Sequence, residues 1–153
     1  MELFWPYIKV FLISMVPVLE LRAAIPLGVA SGLPLWPVII VSVLGNLFPV
    51  PFILLFLKQV FAFLEKHSKR GAKLVAWLKD RAAKKGEKLY KSEVFGLFLL
   101  VAIPLPGTGA WTGALVARVF DIRAKVAVPA IAAGVLAAAV ITSLITYGAA
   151  ALF

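Results

Sequence analysis

Glu20 and Arg22 put a carboxylate and a guanidinium inside an apolar run, P-V-L-E-L-R-A-A-I-P-L-G (residues 17–28). A charge deep in a bilayer costs about 2.5–3.5 kcal/mol on insertion scales, so such groups pair with something or line a wet cavity. On a regular helix, positions two apart point to different sides. A direct Glu20–Arg22 pair therefore needs non-helical backbone, or each charge has another partner. Two readings follow. In one, the two residues lock a helical hairpin. In the other, Arg22 binds an anionic headgroup and Glu20 carries a coupling proton.

A second stretch interrupts another apolar run: V-A-I-P-L-P-G-T-G-A-W-T-G, residues 101–113. Gly107, Thr108 and Gly109 precede a helix expected to start near Ala110. A glycine-rich turn there exposes backbone N–H groups and the positive end of the helix dipole, which suits an anion. Thr108 adds a hydroxyl, and Trp111 and Thr112 stand on the rim. Tight packing is the competing reason for such glycines. Pro17, Pro26, Pro104 and Pro106 are read as the hairpin breakers. Asn46 lies mid-way along a long apolar segment and should face protein rather than lipid. It serves either a helix–helix hydrogen bond, worth about 0.6–2 kcal/mol, or a substrate path. His67, the only histidine, sits in a lysine-rich run and reads as a solvated side chain. Hydrolytic patterns are missing: no G-x-S-x-G, no phosphate-binding loop, no metal-spaced histidines. No cofactor and no enzyme activity are expected.

The elements that must position these residues are membrane helices. Of the 153 residues, 63% are hydrophobic, against about 45–50% in soluble domains. A span needs about 20 apolar residues as helix, and an open sheet would leave its backbone unpaired in lipid. Residues 33–57 and 126–153 are long, nearly uncharged runs. There are no cysteines, so disulfides and thiolate metal sites are ruled out. The N-terminus has no basic n-region and no A-x-A site, so it does not read as a signal peptide. The net charge of +9 is assigned to the cytoplasmic face and anionic lipid, not to nucleic acid.

Residues 4–19 make a short apolar helix, followed by a short piece at 23–30. Ser31-Gly32-Leu33-Pro34 is a turn signal, and Trp36 suits an interfacial belt. Residues 35–57 form a long helix that Pro49 and Pro51 should bend. Residues 58–93 hold eleven of the sixteen basic residues. There Phe61, Leu64, Gly71, Val75, Leu78, Ala82 and Leu89 recur at helical spacing, with Trp77 beside them. This is an amphipathic pattern with a break near Gly71 or Gly86. It either lies on an anionic membrane surface or forms a solvated hairpin that sets orientation. Residues 94–105 and 110–120 flank the second break, 121–125 is a charged connector, and 126–153 is the last span.

The two halves share one order of elements. A shift of 89 residues places Pro17 on Pro106 and Gly45 on Gly134. If each broken segment enters and leaves by the same face, the connector joins the basic segment. Fourteen of the sixteen basic residues then share one side, as the positive-inside tendency favours. The halves are then inverted repeats whose discontinuous helices meet near the midplane.

E-L-R-A-A-I-P-L-G (residues 20–28) and P-L-P-G-T-G-A-W-T-G (residues 104–113) resemble the signature stretches of the family called putative small multidrug export proteins. The resemblance covers nearly the whole chain, including the basic segment. That family in turn looks related to the DedA/VTT-type membrane proteins, which share paired re-entrant hairpins and an Arg-plus-carboxylate core. The wider resemblance implies movement of lipids, polyprenyl phosphates among them. That group usually carries an acid beside the second hairpin's glycine; here the place reads Gly107-Thr108-Gly109, leaving Glu20 as the intramembrane acid.

The expected fold is thus all-α and integral to the cytoplasmic membrane. It is one domain: repeat one (1–57), a basic cytoplasmic segment (58–93) and repeat two (94–153), plausible as a homodimer. The expected function is transport of a lipid-like, anionic amphipathic substrate. Arg22, Asn46, Gly107, Thr108, Gly109 and Trp111 would bind it, and Glu20 would couple protons. Membrane lipids are the expected partners. The alternatives are a small multidrug exporter, in which Glu20 meets a cationic drug, and a scaffold without transport.

Overall fold

The computed structural model describes residues 4–152, except the side chains of residues 78 and 81–92. Every regular element among them is an α-helix. In chain order these are α1 (Phe4–Met15), α2 (Glu20–Ala30), α3 (Leu35–Leu47), α4 (Pro49–His67), α5 (Lys69–Ala102), α6 (Ala110–Val119) and α7 (Ala124–Leu152). Among the described residues, two stretches are long and apolar enough to cross a bilayer: Leu35–His67, which is α3 continued by α4, and Ala124–Leu152.

α1 and α2 fold back on each other. Pro6 and Lys9, early in α1, share a crevice with Ser31 and Leu33 beyond the end of α2. The turn between them contains Pro17 and holds Val18 at φ 76° and Glu20 at φ 50°, an uncommon region for side-chain-bearing residues. The end of α5 and α6 form the matching pair across the second break, where Pro104 and Pro106 lie outside any helix. Pro26 does not break the chain: it lies inside α2. Its ring leaves the Arg22 carbonyl without the usual helical donor, yet the helix continues. Its inner face is held by packing, with Leu21, Ala24 and Ile25 fully buried.

Pro49 and Pro51 remove two donors from the α3–α4 ladder, and α3 ends at Leu47. Phe48 keeps helical dihedrals, so the direction carries on. The helix then runs to His67, ten residues past the apolar stretch expected to end at 57. The break in the basic region falls at Ser68 rather than at Gly71 or Gly86. Ser68 is extended and its Oγ accepts from Gly71 N at 3.1 Å, an N-cap for α5. Phe61, Leu64, Gly71 and Val75 turn inward as the spacing predicts, and Trp77 is exposed. Leu78, Ala82 and Leu89 lie outside the described side chains. His67 is exposed and stacks on Phe63, with ring centroids 4.3 Å apart.

The core combines Val, Leu and Ile with many alanines. Ala110, Ala114 and Ala117 of α6 and Ala127, Ala138 and Ala139 of α7 are buried, which lets helices approach closely. One contact recurs in both halves. A methyl on Gly45 of α3 would lie 2.6 Å from the Phe11 carbonyl and 3.1 Å from Ser14 Cβ of α1. A methyl on Gly134 of α7 would lie 2.9 Å from the Phe98 carbonyl and 2.7 Å from Val101 Cβ of α5. Each long helix thus rests a glycine on its hairpin's first arm. Leu44, Phe52, Leu55, Phe56, Leu136 and Leu144 are exposed, as lipid-facing side chains are.

Candidate functional site

A broken helix leaves orphan groups on both sides of its break: carbonyls at the C-terminal end and N–H groups at the next N-terminus. Water cannot serve them in an apolar interior. Between α5 and α6 the first hairpin serves both. Glu20 is 2% exposed, and its Oε2 accepts from Ala110 N at 3.3 Å while Oε1 accepts from Trp111 N at 3.2 Å. The α6 N-terminus therefore does hold an anion, and that anion is Glu20. Gly109 makes the approach possible. Its φ of 137° suits glycine, and a methyl there would collide with the carboxylate.

Arg22 takes the other side of the same break. Nη1 donates to the Leu105 carbonyl and, at 2.6 Å, to Thr108 O. Nη2 donates to Ile103 O at 3.1 Å and Val101 O at 3.5 Å. The guanidinium fork thus gathers four carbonyls, Val101 in the last turn of α5 and three in the loop that follows it. Thr108 closes the loop on itself: Oγ1 is 2.8 Å from the carbonyls of Ile103 and Leu105 and 3.3 Å from Leu105 N. Thr112 Oγ1 donates to Gly107 O at 2.9 Å.

Around the carboxylate the interior is polar. Asn46 is 1% exposed, and its Oδ1 has no partner among the described residues. Ser14, buried in α1, donates to the Ser42 carbonyl of α3. Trp111 Nε1 donates to Met15 O at 2.9 Å, tying α6 to the end of α1. Trp111 also lines an open apolar groove of about 510 Å3 with Phe52, Ile53 and Phe56 of α4.

Residues 20–141 match the model of a family described as putative small multi-drug export protein. The chain belongs to that family. No curated protein and no solved structure matches it. Family and apolar helices together make this small multi-drug export chain a membrane protein with transmembrane helices and a transport role.

The matched segment begins at Glu20, so the whole Glu20–Arg22 junction lies within the family region. Of the residues singled out in this export chain's sequence, Glu20, Asn46, Gly109 and Trp111 come together on one side of the break. Arg22, Thr108 and the carbonyl of Leu105 come together on the other. Gly107 bends the loop with φ 79° and touches the junction through Thr112. Glu20 and Arg22 do not form a hydrogen-bonded pair; each takes one end of the broken helix. Sequence reasoning missed Phe52 and Phe56, whose groove depends on how α4 and α6 pack. It also missed the partners of Glu20 and Arg22. A balance of donors and acceptors could have found these, because the orphan groups of one break call for one cation and one anion.

Proposed function

We propose that the chain is a proton-coupled exporter of amphipathic cationic small molecules. One observation carries the reading: Trp111 lines the aromatic groove of α4, and its backbone N–H donates to the buried Glu20 carboxylate. About 510 Å3 falls within the range of small-molecule sites, roughly 300–1,000 Å3. Phe52, Phe56 and Trp111 offer the ring faces that attract a cation. Arg22 does not repel it, because its charge is turned into four carbonyls.

Glu20 joins substrate to proton. As a carboxylate it holds the start of α6 through two N–H groups and the helix dipole, a charge effect of about 0.3–2 kcal/mol. A proton on it removes that charge and loosens the two hairpin tips. A lipid-like anionic substrate, the first expectation, would need Arg22 and the amides at the α6 start to leave their present partners. The groove needs no such exchange.

The topology of this reading is two inverted repeats with re-entrant hairpins in the cell membrane, the basic segment cytoplasmic. It is supported by the matched glycine contacts of Gly45 and Gly134 and by Glu20 meeting Gly109. Both pairs are separated by 89 residues, and equivalent residues meet where a pseudo-twofold axis passes. A homodimer belongs to the same reading, since two spanning stretches are too few to enclose a path.

The test is transport in proteoliposomes under an imposed pH gradient, with a fluorescent lipophilic cation and, in parallel, a labelled polyprenyl phosphate. Gradient-driven movement of the cation, lost in Glu20→Gln and weakened in Phe56→Ala, supports the reading. Movement of the polyprenyl phosphate alone overturns it in favour of the lipid-like substrate. Movement of neither ligand also overturns it.

A further inference from the structure

A separate cavity of about 360 Å3 lies between α4 and the junction of α6 with α7. Leu54, Leu55 and Val128 give it an apolar wall, Lys58 and Arg118 its charge, and Ala124 its edge at the start of α7. The cations gather at one end. Lys58 opens the basic segment on α4, and Arg118 and Ala124 line the cavity with it. Pro51, at the other end of the lining, lies about 10 Å deeper along α4. Arg123 and Lys125 are exposed next to Ala124.

Arg118 is not satisfied by its own chain. Its Nε is buried without a partner among the described residues. Its Nη1 reaches only Asp121 Oδ1, at 3.4 Å, and that carboxylate is 80% exposed. Nε itself is closed off, so a ligand in the cavity would meet the Nη end of a side chain that is 23% exposed. A guanidinium fork beside an ammonium suits a phosphate.

We propose that this cavity binds one anionic phospholipid. Its phosphate lies between Lys58 and Arg118, and an acyl chain follows Leu54, Leu55 and Val128. The apolar wall sets a lipid apart from free phosphate, which would gain nothing from it. The bound lipid pins α4 to the α6–α7 junction. The site adjoins the groove beside Trp111, with Leu55 lining both, but its headgroup contacts do not involve Glu20 or the substrate assigned there.

The experiment is native mass spectrometry of the detergent-solubilised full chain, titrated with short-chain phosphatidylglycerol, phosphatidylcholine of the same length, or inorganic phosphate. The expected result is one saturable phosphatidylglycerol adduct and weaker phosphatidylcholine binding. Lys58→Gln and Arg118→Gln each lower phosphatidylglycerol affinity by roughly fivefold, the size of one basic contact with an anionic lipid. Lys9→Gln, at the start of α1, leaves it unchanged. Lys58 is exposed, so Lys58→Gln reports even where Arg118→Gln fails to fold. Equal binding of both lipids overturns the proposal, as does full affinity in Lys58→Gln. Displacement of the lipid by inorganic phosphate at matching concentration also overturns it and makes the site one for free phosphate.

Discussion

The carboxylate of Glu20 occupies the space where a side chain on Gly109 would begin. The two residues are 89 positions apart, on the tips of different hairpins, and each explains the other. Gly109 has no Cβ so that Glu20 can reach the first N–H groups of α6. Glu20 is acidic where an acid is costly because those N–H groups have no other acceptor.

Gly109→Ala therefore carries two penalties, the collision and the positive φ. We expect a loss of at least about 1–3 kcal/mol, the usual cost of such backbone strain, seen as a lower midpoint of chemical denaturation in detergent. In a Glu20→Ala background the same change should cost less, because the collision is gone. Equal costs in both backgrounds would separate the two residues.

Arg22→Lys keeps the charge but loses the fork. One ammonium cannot reach four carbonyls spread from Val101 to Thr108. Loss of charged hydrogen bonds at about 1.5–3 kcal/mol each should make the variant much less stable than wild type. Lysine as stable as arginine would mean the four contacts contribute little.

Gly45→Ala and Gly134→Ala should be destabilising to a similar degree. Each methyl meets a backbone carbonyl that cannot rotate away, and overpacking of this kind costs about 1–3 kcal/mol. Thermal unfolding in detergent reads both. One variant neutral and the other severe would count against the two halves being equivalent.

Topology can be read with single cysteines, since the chain has none of its own. Ala124→Cys should be shielded from an impermeant maleimide in intact cells, like Ser92→Cys, whereas Gly32→Cys should label. Labelling of Ala124→Cys would make the second broken segment a full crossing and remove the inverted repeat.

Local chemistry was legible in the chain, and long-range pairing was not. Pro17, Pro104 and Pro106 marked real breaks, and Asn46 was placed inward, because proline and a buried amide act where they stand. Pro26 misled, since packing of α2 outweighs one missing hydrogen bond. Ser68 was overlooked beside Gly71 because its capping role depends on a hydroxyl placed three residues ahead of a free N–H. Spacing showed that Glu20 and Arg22 needed partners and could not say which. Those partners lie about eighty to ninety residues away on a different hairpin.

In the proposed exporter one carboxylate, Glu20, serves both proton and substrate. The most direct measurement is proton release when a lipophilic cation is added to the detergent-solubilised chain in weakly buffered solution, at a pH acidic enough for Glu20 to start protonated. Release should saturate with cation binding in the wild type and be lost in Glu20→Gln. Cation binding with no proton released, or equal release from Glu20→Gln, would contradict it.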